Sequence, residues 1–211
     1  MKKKLFWGAI VVVILGCAVF FGVFAYGFRI MSLPTGGMAN TIIPGEQVAV
    51  TKFFGAVQRG DIVVFRYPKN PSILYLKRVI GLPGENIEVR GKQVFINGQA
   101  LAEKRVKVDL AMEEPAAQKS LRELAEEGAG EYRVFYDKLT WDEKEEFTEG
   151  MSYAVKTPYK IPAGQYFVMG DARDNSQDSR FWGTVAADAI LWKAYMITSS
   201  PETARVFTKL K

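Results

Sequence analysis

An uncharged, mostly apolar run from Leu5 to Phe28 dominates the start of the chain, and Lys2, Lys3 and Lys4 stand immediately before it. At about 1.5 Å per helical residue the run is long enough to cross a hydrocarbon core of about 30 Å. The pattern predicts a transmembrane anchor over 5–28, a cytoplasmic tail over 1–4 set by the lysines, and an extracytoplasmic remainder over 29–211. A cleaved signal peptide is the rival reading, and Ala25-Tyr26-Gly27 has the small-x-small form of a cleavage site. The apolar core of such a peptide is about 7–15 residues, much shorter than this run. Trp7, Tyr26 and Phe28 lie near the two ends, where interfacial aromatics sit.

No later apolar stretch is long enough to span. Short strands and turns follow instead. Residues 45–50 read as a turn into a strand. Residues 61–67 read as a strand ended by Pro68, and 73–80 as a strand stopped by Gly81-Leu82-Pro83-Gly84. Residues 87–98 read as alternating strands with two hairpin turns. The pattern predicts a mainly β body. From about 101 to 160 the character changes. Residues 116–127 are charged, rich in helix formers and end at Gly128, and 141–147 read as a second short helix. This region is expected to be an inserted α/β subdomain on the β body. Strand character returns at 165–169. A polar stretch over 170–180 follows, and 189–197 read as a last apolar strand.

Composition narrows the chemistry. About half of the residues are apolar and a quarter charged, as in a folded protein. The net charge of +5 comes partly from the three N-terminal lysines. The other charges alternate in sign, so no nucleic-acid surface is indicated. Histidine is absent, which excludes a Ser-His-Asp triad, a Cys-His dyad and a histidine zinc site. The single cysteine, Cys17, lies inside the apolar run; it forms no internal disulfide and is poorly placed as a nucleophile. A base working near neutral pH must therefore be a lysine, a carboxylate or a tyrosine.

Three stretches carry candidate chemistry. Residues 31–38 hold Pro34, the hydroxyl of Thr35, and Gly36 and Gly37, which suit a loop presenting backbone N–H groups. In the strand at 73–80, Ile73, Tyr75, Lys77 and Val79 share one face, and Leu74, Leu76, Arg78 and Ile80 the other. A lysine on such an apolar face is partly desolvated, which lowers its pKa and lets the amine act as a base. The alternative is a lysine that snorkels to solvent at a sheet edge. Residues 170–183 pack many hydrogen-bonding side chains into one turn-rich segment. There Asp178 and Arg180, or Asp174 and Arg173, can pair, and Asn175 and Ser176 can orient a neighbour. The bland reading of that segment is a solvated turn.

Together these segments resemble the bacterial type I signal peptidase (leader peptidase) family, membrane-anchored proteases with a serine–lysine dyad. Residues 34–42, Pro-Thr-Gly-Gly-Met-Ala-Asn-Thr-Ile, are similar to its nucleophile box, commonly Pro-Ser-x-Ser-Met-x-Pro-Thr-Leu. Residues 59–65 and 75–85 resemble its central strand and lysine box. Residues 170–183 resemble its Gly-Asp-Asn-Arg-Asp-Asn-Ser-x-Asp-Ser-Arg box, with Ala172 as a departure. The resemblance covers nearly all of the chain outside 101–160. It implies a signal-peptidase-type β domain that removes signal peptides from exported proteins at the outer face of the cytoplasmic membrane. Its partners would be preproteins and membrane lipid, with no metal, other cofactor or nucleic acid.

The resemblance also implies roles. Lys77 matches the general base and Ser176 the hydroxyl that hydrogen-bonds and orients it. Thr35, with the N–H of residue 37, matches the oxyanion donors. Asp178 and Arg180 match a structural ion pair. Met31, Leu33, Ile42 and Leu76 match the apolar lining of shallow pockets that accept small residues before the scissile bond and reject bulky ones. Phe53 and Phe54 suit either core packing or contact with lipid. The serious departure is Gly37, which stands where the family has its nucleophilic serine; Asn40, where proline is common, is a milder one. Four explanations stay open: an altered residue in the recorded sequence, an inactive relative that binds secreted chains, another nucleophile such as Thr35, or a shifted register that brings in Ser32.

Overall fold

The protein is described by a computed structural model over residues 12–18, 22, 27–32, 36–52, 55–109, 119–142 and 150–210. Most of the expected anchor, together with Leu33, Thr35, Phe53 and Phe54, lies outside these residues. Residues 12–18 are helical, and among the described residues no helix is long and apolar enough to cross a membrane. Phe28, expected as the last residue of the anchor, is the first residue of a strand.

In chain order the strands are β1 (Phe28–Ser32), β2 (Gln47–Lys52), β3 (Ile62–Tyr67), β4 (Asn70–Gly81), β5 (Asn86–Arg90), β6 (Gln93–Ile96), β7 (Gln99–Ala100), β8 (Lys104–Asp109), β9 (Arg122–Glu127), β10 (Arg133–Asp137), β11 (Tyr159–Lys160), β12 (Gln165–Met169), β13 (Val185–Ala186) and β14 (Ile190–Ser199). The mainly β expectation therefore holds. The large sheet runs β1-β2-β14-β3-β4-β12-β13, with every pair antiparallel. A second sheet runs β11-β5-β6-β7, and a third runs β10-β8-β9.

The apolar run of β3 is explained by burial on both faces of the large sheet. Ile62 and Val64 pack with Met38, Ile42, Val48 and Leu76 on one side. Val63 and Phe65 pack with Val79, Val168 and Trp182 on the other. A period of two sends neighbours to opposite faces, so a strand with two cores reads as continuous apolar sequence. A third core, built on Ile80, Ile87, Val94, Val134, Ile161 and Phe167, joins the second sheet to the ends of β4 and β12.

The helix expected over 116–127 is not formed over its described part, because Arg122–Glu127 is strand β9. Its residues favour helix in isolation, but the edge of β8 supplies backbone partners and fixed charges. Val106 pairs with Glu126 and Asp109 with Arg122. Arg105 reaches Glu127 at 2.9 Å, and Arg133 of β10 binds Glu123 and, at 2.8 Å, Glu126. Tertiary pairing outweighs a propensity of roughly a few tenths of a kcal/mol per residue. The described part of the 101–160 region is accordingly built on strands. Trp141 and Asp142 lie in a turn, and the rest of the helix expected over 141–147 falls outside the described residues.

Candidate active site

Antiparallel pairing brings two of the three candidate stretches together. Met169, the last residue of β12, lies opposite Arg78 of β4, so the polar loop that begins at Gly170 starts beside Lys77. The third stretch arrives as the single 3-10 turn Gly36–Met38. The Ala172 N–H donates to Gly37 O at 3.3 Å and ties that turn to the loop. The approach is close enough to require glycine at 170: a Cβ there would collide with Ser176 Oγ and with the carbonyl oxygen of Gly37.

Lys77 is 5% exposed and forms no hydrogen bond or ion pair with another described residue. A Cβ placed on Gly37 would lie 2.6 Å from Lys77 Nζ, 3.4 Å from Asn175 O and 3.5 Å from Ser176 Oγ. The amine is thus aimed at the side-chain position of residue 37. Burial lowers the Lys77 pKa by penalising the ammonium. The Asp178 and Asp171 carboxylates pull the other way without cancelling that effect, and Arg180 adds to it. The hydroxyl of Ser176 is buried and has no hydrogen-bond partner among the described residues. The Ser176–Lys77 hydrogen bond implied by the resemblance is therefore not made. Both groups point instead toward the place where residue 37 would carry a side chain.

Three buried ion pairs brace the loop. Asp178 accepts from Arg180 Nε and Nη2, each at 2.8 Å, and from the Gly170 N–H at 3.0 Å. Burial opposes the charge of Asp178, but the guanidinium of Arg180 prevails and holds the carboxyl below its ordinary value. Asp171 accepts from Arg78 Nε at 2.8 Å and Nη2 at 2.6 Å, and from the Thr41 hydroxyl at 2.6 Å. Glu103 is held by Arg173 Nη1 at 3.0 Å and by Nη2, and also accepts from the Tyr132 hydroxyl at 2.9 Å. Burial, together with Glu103, pushes the Tyr132 pKa up. The option of an Arg173–Asp174 pair is corrected: Asp174 accepts from the Asp137 N–H at 2.7 Å and the Thr140 hydroxyl at 2.8 Å.

Neither the Arg78–Asp171 nor the Arg173–Glu103 pair is among the sequence expectations. A signal for the first exists, since Arg78 sits on a face otherwise made of Leu74, Leu76 and Ile80, where a buried guanidinium needs a carboxylate. Asn40 also does more than its place in the motif suggests. It is 5% exposed, donates from Nδ2 to Leu121 O at 2.9 Å and accepts from the Leu121 N–H at 2.6 Å. The segment leading into β9 is thereby stapled to the turn that carries Gly37. From the other side, Arg205 Nη2 donates to the carbonyls of Asn40 at 2.8 Å and Thr41 at 3.1 Å.

Met31, Ile42 and Leu76 share one apolar cluster, with Met31 half-buried at its margin. Leu33 and Thr35 are outside the described residues. A cavity of about 630 Å³ lies elsewhere, lined by Gln58–Ile62, Lys104, Gly130–Tyr132, Lys193, Ala194 and Leu210, and touches none of these candidates. Among the described residues no cluster of acidic or cysteine side chains is arranged to hold a metal ion.

Comparison with known proteins places the sequence in a family. The sequence model of the family described as signal peptidase, peptidase S26, matches residues 5–198. The signal peptidase I of Pseudomonas fluorescens is 35% identical over 196 residues, covering 80% of this chain and 63% of that protein. Its counterpart in Pseudomonas aeruginosa is 36% identical over 168 residues, covering 71% of this chain and 54% of that protein. The chain thus spans less than two thirds of the length of these two relatives. The signal peptidase I of Aquifex aeolicus is 30% identical, covering 85% of this chain and 82% of that one. A crystal structure of a signal peptidase I from Enterococcus faecalis V583 is similar at 26% identity and a TM-score of 0.38, covering 65% of this chain and 96% of that chain.

Proposed function

This chain belongs to the signal peptidase family, peptidase S26, and from that membership we propose that it is a membrane-anchored endopeptidase of the signal peptidase I type, cutting signal peptides from exported proteins. In this reading residues 1–4 are cytoplasmic and the run expected over 5–28 anchors the chain up to Phe28, which opens β1. Residues 29–211, with an insertion at about 101–160, form the peptidase-type domain at the outer face of the cytoplasmic membrane. The anchor keeps the site where signal peptides leave the bilayer, so both lipid and preprotein are partners.

One observation supports the reading above the others. A buried amine with a lowered pKa is aimed at the position of residue 37, within 2.6 Å of a Cβ there. Neutral Lys77 would take the proton from an attacking hydroxyl as its oxygen bonds to the scissile carbonyl carbon. It would return that proton to the departing amine, and water would then release the acyl group. Thr35 and the Gly37 N–H would hold the oxyanion. Asp178–Arg180 would brace the loop behind Ser176. Met31, Leu33, Ile42 and Leu76 would line the pockets for small residues.

Glycine supplies no nucleophile, and Thr35 is the nearest hydroxyl in sequence; as the attacking group it would have to leave the oxyanion to the Gly37 N–H and turn toward Lys77. A second reading is favoured by Gly37 itself: a relative that binds exported chains without cutting them. A purified preprotein tests both. Gly37→Ser is expected to cleave after a small residue and to lose that activity when Lys77→Ala is added. Native cleavage that leaves an acyl group on Thr35, detected by mass spectrometry of the trapped intermediate, assigns the attacking hydroxyl to Thr35. Native inactivity beside an active Gly37→Ser chain supports the binding reading. A Gly37→Ser chain that folds and cleaves nothing overturns the peptidase reading.

A further inference from the structure

The turn that carries residue 37 has little with which to hold itself. Gly36 and Gly37 have no side chains to anchor and the greatest backbone freedom. The place of the turn is therefore set by what the following residues touch. Met38 enters the core on one face of the large sheet. Ala39, 6% exposed, goes elsewhere, into a cluster with Val106, Val108, Leu121 and Phe135. Among the described residues it is the cluster's one member from outside the 101–160 region. The sheet β10-β8-β9 thus supports the chain two residues after Gly37.

Phe135 of β10 also holds the opposite side of the site. It is 3% exposed, its N–H donates to Asp171 O at 2.7 Å, and it forms a parallel bridge with Ala172. The Asp171 carboxylate binds Arg78, the neighbour of Lys77 on β4, and the Ala172 N–H reaches Gly37 O. One residue therefore joins three parts. Its ring shares a cluster with the end of the Gly37 turn, its backbone holds the polar loop, and Asp171 carries that hold to β4.

We propose that Phe135 is a positioning residue for the site, its ring seating the Gly37 turn through Ala39 while its backbone fixes the loop at 171–172. The sheet β10-β8-β9 then sets how closely residue 37 approaches Lys77. The proposal deepens the peptidase reading and rests on it for the effect on cleavage, but the state of the lysine can be read without cleavage. A phenylalanine that only filled space would lower stability and leave Lys77 as it is. A turn that backs away from Lys77 admits water and relieves the burial that depresses the amine. The charged groups acting on that amine, Asp171, Asp178 and Arg180, all lie on the polar loop, and the turn Gly36–Met38 brings none.

The test follows the titration of Lys77 by NMR in the full native chain carrying isotope-labelled lysine, with Lys77→Met identifying the signal. Phe135→Ala is expected to raise the midpoint by at least about half a pH unit. Phe135→Leu, which keeps an apolar group in place, should shift it less. Val94→Ala, a cavity in the third core, controls for general loosening and should leave the midpoint where it was. A folded Phe135→Ala chain with the native midpoint overturns the proposal, and so does an equal shift in Val94→Ala. If Phe135→Ala does not fold, Leu121→Ala, from the same cluster, is judged by the same criterion. In a Gly37→Ser chain, Phe135→Ala should lower kcat about tenfold with little change in KM. It should also move the acid limb of the pH–rate profile to higher pH, because the base works in its neutral form. A shifted midpoint beside an inactive Gly37→Ser chain keeps the positioning role and fails the peptidase reading. An unshifted midpoint beside an active one fails the positioning role alone.

Discussion

Replacing Asn40 by alanine removes a buried two-way hydrogen bond that joins the Gly37 turn to the 101–160 region. Asn40 and Leu121 are 5% and 7% exposed, and the side-chain amide pairs with both backbone groups of Leu121, at 2.9 and 2.6 Å. Asn40→Ala leaves that N–H and that C=O without partners. Each orphaned buried group costs about 1–3 kcal/mol, so the pair predicts a loss of roughly 2–6 kcal/mol. The lower end applies if water reaches Leu121, since strand β9, which follows it, is exposed along its whole length. Asn40→Asp separates the contributions. It keeps the acceptor for the Leu121 N–H, loses the donor, and places a carboxylate beside Glu123, whose Oε1 now accepts from Asn40 Nδ2 at 3.4 Å. Urea unfolding followed by tryptophan fluorescence measures all three proteins. In a Gly37→Ser background, the same substitution should lower kcat more than it raises KM, because it loosens the turn that presents residue 37. A destabilisation by Asn40→Ala below about 0.5 kcal/mol, the range of ordinary surface changes, would refute the reasoning.

Lys77→Met should stabilise the protein, because burying the amine depresses its pKa in the folded state. A lysine depressed on folding destabilises most below its folded pKa, and the handicap fades as pH rises from there toward the unfolded value of about 10.4. Chemical denaturation across pH should therefore show a variant advantage that is largest at low pH and shrinks under alkaline conditions; an advantage that grows with pH would contradict the burial of the amine. Gly170→Ala should cost about 1–3 kcal/mol by overpacking against Ser176 and the Gly37 carbonyl. A variant as stable as the native chain in thermal unfolding would contradict that contact. Arg78→Met strands the Asp171 carboxylate, whose side chain is fully buried, and should cost about 3–5 kcal/mol in the same assay.

The strands are legible where periodicity and punctuation agree. Pro68 closes β3, Gly81 closes β4, and the turns of the β5–β7 meander announce themselves by sequence. The 116–127 segment reads as a helix because Arg, Glu, Leu and Ala favour one locally. The edge of β8 and the guanidinium groups of Arg105 and Arg133, which select the extended form of β9, lie elsewhere in the chain. Arg173 has a misleading candidate partner for a related reason. Asp174 is adjacent in sequence, but Glu103, 70 residues away, meets the guanidinium in the core.

The sequence by itself determined which chemistry is possible. Without histidine the base had to be sought among lysines, carboxylates and tyrosines, and Lys77 lies on an apolar strand face. The missing hydroxyl at residue 37 is also a property of sequence alone. Only the tertiary structure decided that Lys77 is buried rather than snorkelled, because the answer depends on what β12 and the Gly36–Met38 turn place over β4. It alone decided that Ser176 points at the position of residue 37 instead of bonding to the lysine. Periodicity specifies the face on which a side chain stands. What covers that face is set by residues brought together across the whole chain, and burial and pKa follow from that covering.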